Sequence, residues 1–222
     1  MGTYAALCKY YDKPLWEIAR DLEYASSNIH ILKGEESIIK EKYPDVYHNL
    51  LSCTHNKDKR TVIEYAQDLV ASWIFEDTLI LDLQNIGLKI ERAGADRNRK
   101  ILPNSKVSAA SDTKVFVNQK EIHLEIMCDY TGFWAREKKA DLRDDKYASL
   151  KNEEALFLGF DIRNKQYLLI DFTQPVEAMY VPSHFPYGGK PAYSIKLKNK
   201  HPLLPIDLIE IVEKITFLAG DR

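Results

Sequence analysis

The hydrophobic and polar positions of residues 111–130 alternate as they do in two β-strands joined by a tight turn. Residues 113–117 are rich in β-branched and aromatic side chains, which favour strands. Residues 121–130 alternate apolar and polar side chains with a period of two. Asn118 and Gln119 form the predicted turn, because asparagine tolerates a positive φ. The pattern therefore predicts an antiparallel hairpin.

The register of this hairpin predicts a pair of opposed carboxylates. If Val117 pairs with Lys120, the ladder runs back until Asp112 lies directly opposite Glu125. Directly opposed like charges destabilise a hairpin unless a cation lies between them. Oxygen ligands on neighbouring strands suit Mg²⁺, which uses one or two carboxylates and keeps water or phosphate at its other positions. The alternative is that both acids simply face solvent.

Periodicity along the rest of the chain predicts helices and strands in an α/β order. Helices are expected over residues 1–56 in short pieces, over 59–87, from about Asp141 onward, and over 205–218. Further strands are expected at 88–93, 155–161 and 166–172. Residues 173–200 are predicted to be irregular, and their aromatic, glycine-containing stretch HFPYGGKPAY is typical of a recognition surface. The chain divides into a helical subdomain, residues 1–58, and a second domain, residues 59–222.

The N-terminal helices allow two interpretations. Residues 16–34 faintly resemble a helix-turn-helix motif, with EIARDL as its first helix and SSNIHILK as its second. An ordinary helical hairpin that packs on the core explains the same pattern.

The apolar stripe of the long helix, residues 59–87, continues onto two acids. Glu76 and Asp77 stand where apolar residues were due. An acid on the buried face of a helix needs a partner or a metal, unless the helix ends or bends outward there. Both interpretations stay open from the sequence.

A polar loop, residues 94–111, precedes Asp112 and carries four cations. These are Arg97, Arg99, Lys100 and Lys106. Arginine and lysine in such a loop suit contacts with a phosphate backbone, although charged loops are also commonly just solvated.

Composition limits the classes of function. The chain has 222 residues, 45% of them hydrophobic, and a formal charge of −2, so nucleic-acid contacts would need local basic patches. Cys8, Cys53 and Cys128 lack metal-ligand spacing and suggest reduced thiols in a cytoplasmic setting. No apolar run approaches the length of a spanning helix or a signal peptide, so we expect no membrane association.

The order of elements, with SD at 111–112 and EIM at 125–127, resembles the PD-(D/E)xK nuclease core over residues 59–172, most of all that of type II restriction endonucleases. The resemblance implies a restriction-endonuclease-like α/β fold with a central mixed β-sheet flanked by helices. The helices of residues 1–58 would extend that core at its N-terminal end. The resemblance also implies that Asp112 and Glu125 bind Mg²⁺, and that Glu76 matches an additional glutamate that some nucleases of this family carry.

The third motif position departs from this pattern, because Met127 stands where a lysine is expected and a thioether cannot hold a positive charge. Some members supply the lysine from elsewhere. Lys114, on the same strand face as Asp112, is the assigned catalytic candidate, and Lys138, Lys139 and Lys146 are alternatives.

The function implied by the resemblance is Mg²⁺-dependent hydrolysis of double-stranded DNA at a specific sequence by a homodimer. Two rivals stay open. A junction resolvase or repair nuclease would keep the metal site and read DNA shape, whereas a non-catalytic DNA-binding module would keep only the basic loop.

Overall fold

The computed structural model of the protein describes residues 2–54, 60–106, 110–198 and 200–220, which form two compact units. The first unit comprises Met1–Leu79 and Ala95–Ser108, and the second comprises Ile80–Gly94 and Ala109–Arg222. The predicted boundary between residues 58 and 59 lies outside the described residues. The two units divide the chain elsewhere, because residues 95–106 group with the N-terminal helices.

Helices make up the first unit, as the periodicity predicts. Their bounds are Thr3–Tyr11 (α1), Leu15–Asp21 (α2), Ser26–Leu32 (α3), Glu36–Lys42 (α4), Pro44–Cys53 (α5) and Val62–Asn85 (α6), of which residues 62–79 belong to this unit. A capping box begins α6, since the Thr61 N–H donates to Glu64 Oε2 at 2.7 Å and the Glu64 N–H donates to Thr61 Oγ1 at 3.2 Å. After α6, Gly87 has a φ of 103°, as expected of a residue that ends a helix.

A six-stranded sheet forms the centre of the second unit. Its strands are Lys89–Arg92 (β1), Thr113–Val117 (β2), Lys120–Asp129 (β3), Leu156–Asp161 (β5), Gln166–Asp171 (β6) and Leu204–Pro205 (β9), in the spatial order β1-β2-β3-β5-β6-β9. The β3–β5 pair is parallel, and the other pairs described for this sheet are antiparallel. The predicted mixed sheet is therefore confirmed.

A second, three-stranded sheet corrects two predictions. Residues Lys139–Arg143 form a strand (β4) between the short helix Phe133–Glu137 (α7) and the helix Asp144–Asn152 (α8), so the helix expected from about Asp141 onward is present but begins three residues later. Residues 173–200 are not irregular, because Ala178–His184 (β7) and Lys190–Lys196 (β8) form a hairpin. The sheet order is β4-β8-β7. Neither β4 nor β7 alternates buried and exposed residues with a period of two, which is the signal of a half-buried strand.

The last helix, Leu208–Gly220 (α9), begins three residues later than predicted. Pro205 belongs to β9 instead of opening the helix. The carboxylate of Asp207 caps α9, since its Oδ1 accepts the N–H groups of Ile209 at 3.0 Å and Glu210 at 3.2 Å. Among the described helices, none is long and apolar enough to cross a membrane.

One apolar cluster joins both sheets of the second unit to α7 and α8. Its buried members are Trp134, Ala140, Leu142, Leu150, Ala155, Phe157, Leu168, Ile170, Phe172, Ile195 and Leu197. The indole of Trp134 lies over Gly159, where a Cβ atom would approach the ring to 2.6 Å. A methyl group added at Gly159 would therefore overpack this cluster. The α/β fold class, with a central mixed sheet flanked by helices and an N-terminal helical extension, agrees with the prediction.

Gly159→Ala should lower the free energy of unfolding by about 1–3 kcal/mol, because the new methyl group would overpack the buried Trp134 ring. Denaturant unfolding followed by tryptophan fluorescence measures this change. Gly220→Ala is the matched control, since the nearest atom to its Cβ would be Asn118 Nδ2 at 3.8 Å. Equal stability of the two variants would contradict this description of the core.

Candidate metal centre and active site

The register of β2 and β3 opposes two carboxylates. Val117 pairs with Lys120 and Thr113 with Leu124, so the next residue outward, Asp112, lies opposite Glu125. This is the register expected from the turn, in which Asn118 and Gln119 have φ values of 50° and 68°. The charge of Asp112 acts directly on the Glu125 carboxyl group.

The Glu125 carboxyl group is buried and only partly satisfied. The residue is 4% exposed, and its Oε1 lies 2.8 Å from the Nζ atom of Lys146 in α8. Its Oε2 is also buried, and within the described residues this atom has no hydrogen-bond partner. A buried carboxylate oxygen without a donor is unfavourable, so this atom is available to a cation.

Burial and the neighbouring Asp112 raise the pKa of Glu125 to about 8, against an ordinary value of 4.5. Lys146 and a backbone hydrogen bond from Asp112 act in the opposite direction, but they do not cancel the other two effects. For Lys146, burial lowers the pKa, whereas the charges of Glu125 and Asp112 outweigh this and raise it. Lys146 is therefore held as a cation, and Glu125 keeps a proton near neutral pH in the absence of a metal.

These residues fit a magnesium ion. In the part of the chain that is described, no three His, Cys, Asp or Glu side chains meet in a way that could hold a metal. The opposed pair Asp112 and Glu125 supplies two carboxylates, which is the number that Mg²⁺ commonly takes from protein. The unpartnered Oε2 of Glu125 is the observation that favours a cation at this place.

Helix α8 is fastened to the segment that leads into β2. Besides its contact with Glu125, Lys146 Nζ donates to the carbonyl oxygen of Ala110 at 3.3 Å. Directly after α8, Glu153 Oε2 accepts the N–H of Ser111 at 3.3 Å and its hydroxyl at 2.5 Å. The same carboxylate lies 3.5 Å from Nδ1 of His123 on β3. These contacts fix the chain on both sides of the acid pair.

The catalytic lysine assigned from sequence is not the lysine at the acid pair. Lys114 Nζ lies 2.5 Å from Glu121 Oε1, at the part of the hairpin nearer the turn. Lys146, which was one of the three alternatives, contacts Glu125 instead. The sequence placed Lys146 on a helix but offered no signal that this helix packs against Glu125, so it could not be separated from Lys138 and Lys139.

Met127 lies on the same face of β3 as Glu125 but belongs to the apolar cluster. It is half-buried and packs against that cluster, whose nearest members in sequence are Trp134 and Ala140. The methionine is therefore a packing residue, and the lysine that contacts Glu125 belongs to α8.

Glu76 and Arg99 correct two further predictions, and both lie in the first unit. Arg99 is buried, with its Nη1 3.0 Å from Glu76 Oε2 and its Nη2 2.6 Å from Asp77 Oδ1. Burial lowers the pKa of Arg99, but the charges of Asp77 and Glu76 outweigh it and raise the value. Glu76 thus has a cation of its own chain as its partner, and Arg99 is not placed to contact a phosphate.

The other three cations of the basic loop are exposed. Arg97, Lys100 and Lys106 lie on the surface of the first unit. The loop itself is held by Asn28, whose Nδ2 donates to the carbonyl oxygen of Arg99 at 2.9 Å. Its exposed cations are consequently presented from a fixed backbone.

Comparisons with known proteins found no related family and a solved structure of low similarity. No model of a protein family matches the sequence, and no curated protein matches it either. One solved structure with some likeness is that of Hjc, a Holliday junction resolvase from the archaeal hyperthermophile Archaeoglobus fulgidus. The likeness has a TM-score of 0.37 at 15% sequence identity, and it covers 66% of this chain and 97% of the resolvase chain. Such a low TM-score carries no argument about function.

The pKa of Glu125 predicts how stability depends on pH when no metal is added. A raised pKa means that the protonated form is favoured in the folded state. The contribution to stability is therefore complete below pH 4.5 and is lost as the pH rises through about 8. Urea unfolding in EDTA between pH 5 and 9 should show a loss of stability in the wild-type protein that is smaller in Glu125→Gln.

Glu121→Gln is the control, because Glu121 is exposed and its pKa is lowered by Lys114, so it titrates below this range. This variant should follow the wild-type profile. Identical pH profiles for the wild-type protein and Glu125→Gln would contradict the burial of an uncompensated charge at Glu125.

Proposed function

We propose that the protein is a Mg²⁺-dependent endonuclease of the PD-(D/E)xK type that hydrolyses phosphodiester bonds in double-stranded DNA. The observation that carries this proposal is the buried, opposed pair Asp112 and Glu125 with Lys146 2.8 Å from the glutamate. Two acids on paired strands with a lysine beside them are the groups that this chemistry requires. Here the lysine comes from α8 rather than from the strand of the glutamate.

Asp112 and Glu125 would hold the Mg²⁺ ion. When bound, such an ion supplies positive charge to a phosphoryl group and lowers the pKa of a coordinated water. The carboxylate of Glu125 is favourable for this purpose because its free oxygen is already removed from water.

Lys146 would act as a hydrogen-bond donor and a fixed positive charge. Its raised pKa keeps it protonated near neutral pH, so it is unsuited to remove a proton while it is paired with Glu125. An ammonium group can instead orient a water molecule and stabilise the negative charge that develops on a phosphoryl oxygen. Glu153 and the carbonyl of Ala110 would act as positioning groups for this arrangement.

Within this proposal, the finer assignment is a type II restriction enzyme that cuts at a specific sequence as a homodimer, each subunit cutting one strand. The exposed cations Arg97, Lys100 and Lys106 would contact the DNA backbone. Incubation of the protein with plasmid DNA and Mg²⁺ tests the assignment. Discrete fragments support a restriction enzyme, nicking of branched substrates alone supports a structure-specific nuclease, and no product supports a non-catalytic DNA-binding protein.

Asp112→Asn and Glu125→Gln should each abolish cleavage of plasmid DNA while DNA binding is retained or strengthened. The physical reason is that each removes one of two metal-binding charges and relieves their repulsion of phosphate. Gel analysis of cleavage and an independent binding titration separate the two effects. Glu121→Gln, on the same strand, should cut as the wild type does, and a Glu125→Gln protein that cuts at the wild-type rate would refute the site.

Lys146→Ala should reduce the cleavage rate by at least 100-fold, since loss of one preorganised electrostatic donor commonly has an effect of about 10²–10³. Lys114→Ala is the matched variant, because it removes the lysine that lies beside Glu121 instead. It should retain activity within a few-fold. The reverse outcome, an active Lys146→Ala protein and an inactive Lys114→Ala protein, would return the catalytic role to Lys114.

A further inference from the structure

The hairpin of β7 and β8 belongs to a stretch that lacks acidic residues. From residue 178 to residue 206 the sequence contains no Asp or Glu, although the whole chain has a net charge of −2. The same stretch carries Lys190, Lys196, Lys198 and Lys200. We name residues 178–198 and 200–201 the hairpin arm, which is a local basic region on a nearly neutral protein.

Three of these lysines converge on one cavity of about 270 Å³. The residues that line it are Glu177, Lys196, Lys198, Lys200 and His201. Within the described residues, no ion pair joins these lysines to a carboxylate, although the exposed Glu177 is part of the lining. Burial and the charge of Lys200 lower the pKa of His201, as expected where cations gather. Such a group of cations is stabilised by an anion with several charges.

At the other end of the arm, the tip presents an aromatic ring to solvent. Phe185 is 93% exposed. The residues on either side of it are anchored to β4, since His184 Nε2 lies 2.8 Å from Asp141 Oδ2 and the Tyr187 hydroxyl donates to the Asp141 carbonyl oxygen at 2.6 Å. Gly188 and Gly189, with φ values of 64° and 81°, close the turn. A phenyl ring held outward by a fixed turn is unfavourable in water and suits a planar partner.

The arm is attached to the helix that bears Lys146. The ring of Tyr180 in β7 lies 5.3 Å from that of Tyr193 in β8, which stacks at 4.1 Å on Tyr147. Tyr147 directly follows Lys146 in α8. A ligand bound along the arm is thus connected by packed rings to the proposed active site.

We propose that the hairpin arm binds DNA, with Lys196, Lys198 and Lys200 contacting backbone phosphates and Phe185 stacking on a base. The inference rests on the proposed function, which supplies DNA as the polyanion. A row of cations together with an exposed aromatic ring is the combination that binds nucleic acid through phosphates and base faces. A single free phosphate would use the cations but not the ring.

The test measures the affinity of the full chain for fluorescent duplex, single-stranded and branched DNA at several salt concentrations in EDTA, so that no cleavage is needed. The variants are the triple change Lys196→Gln, Lys198→Gln, Lys200→Gln and the single change Phe185→Ala. The control for the triple change is a second triple variant at exposed lysines outside the arm, namely Lys120→Gln, Lys151→Gln and Lys165→Gln. The control for Phe185→Ala is Phe217→Ala, which removes another exposed ring, 66% exposed.

The triple variant should reduce the slope of log affinity against log salt by up to about 2.7, at about 0.9 for each lost phosphate contact. Phe185→Ala should weaken binding of at least one DNA form by about 5- to 150-fold and leave the salt slope unchanged. The controls should bind as the wild type does. All of these side chains are exposed or line an open cavity, so thermal unfolding should be unchanged.

Wild-type affinity and salt slope in both arm variants would overturn the inference, even if the wild-type protein cuts DNA. Conversely, arm-dependent binding by a protein that never cuts would support the arm and refute the proposed nuclease. Inorganic phosphate at millimolar concentration that displaces the DNA completely would show a simple anion site and would also overturn the role of the arm.

Discussion

Two acids opposed across neighbouring strands set the condition that the rest of this site must meet. Asp112 and Glu125 repel each other, and the burial of Glu125 strengthens that repulsion because water is excluded. One lysine reaches the pair, yet the pKa of Glu125 still lies well above its ordinary value. Glu125 therefore keeps a proton near neutral pH, and a divalent cation between the two acids would take the place of that proton. Strongly perturbed pKa values of this kind are frequent at functional sites, and this is why the pair supports the proposed function.

Local rules were sufficient to predict the acid pair. The turn at Asn118 and Gln119 fixes the hairpin register, and a register fixes which side chains oppose each other. Strands β5 and β6 were predicted for a similar reason, since each is a short continuous apolar run bounded by turn residues. In all of these elements the information lies within a few residues of the feature that it determines.

The parts that could not be predicted depend on distant partners. Strand β4 contains the polar sequence KADLR and becomes a strand because it pairs with β8. Without β4 and its pairing with β8, the packing of α8 and hence the contact of Lys146 with Glu125 could not be predicted. Arg99 was interpreted as a surface cation because its loop is polar, but its burial is decided by Asp77, 22 residues away in sequence. Sequence patterns report the composition of a loop and not which of its side chains turns inward.

The pairing of β4 with β8 also makes the site depend on segments that are synthesised at different times. The two acids lie on a hairpin whose contacts are local, so they can come together soon after that segment leaves the ribosome. Helix α8 packs on β8 through Tyr147 and Tyr193, and β8 is synthesised much later. The firm placement of Lys146 beside Glu125 therefore depends on β8, a strand that lies far beyond both acids in the sequence.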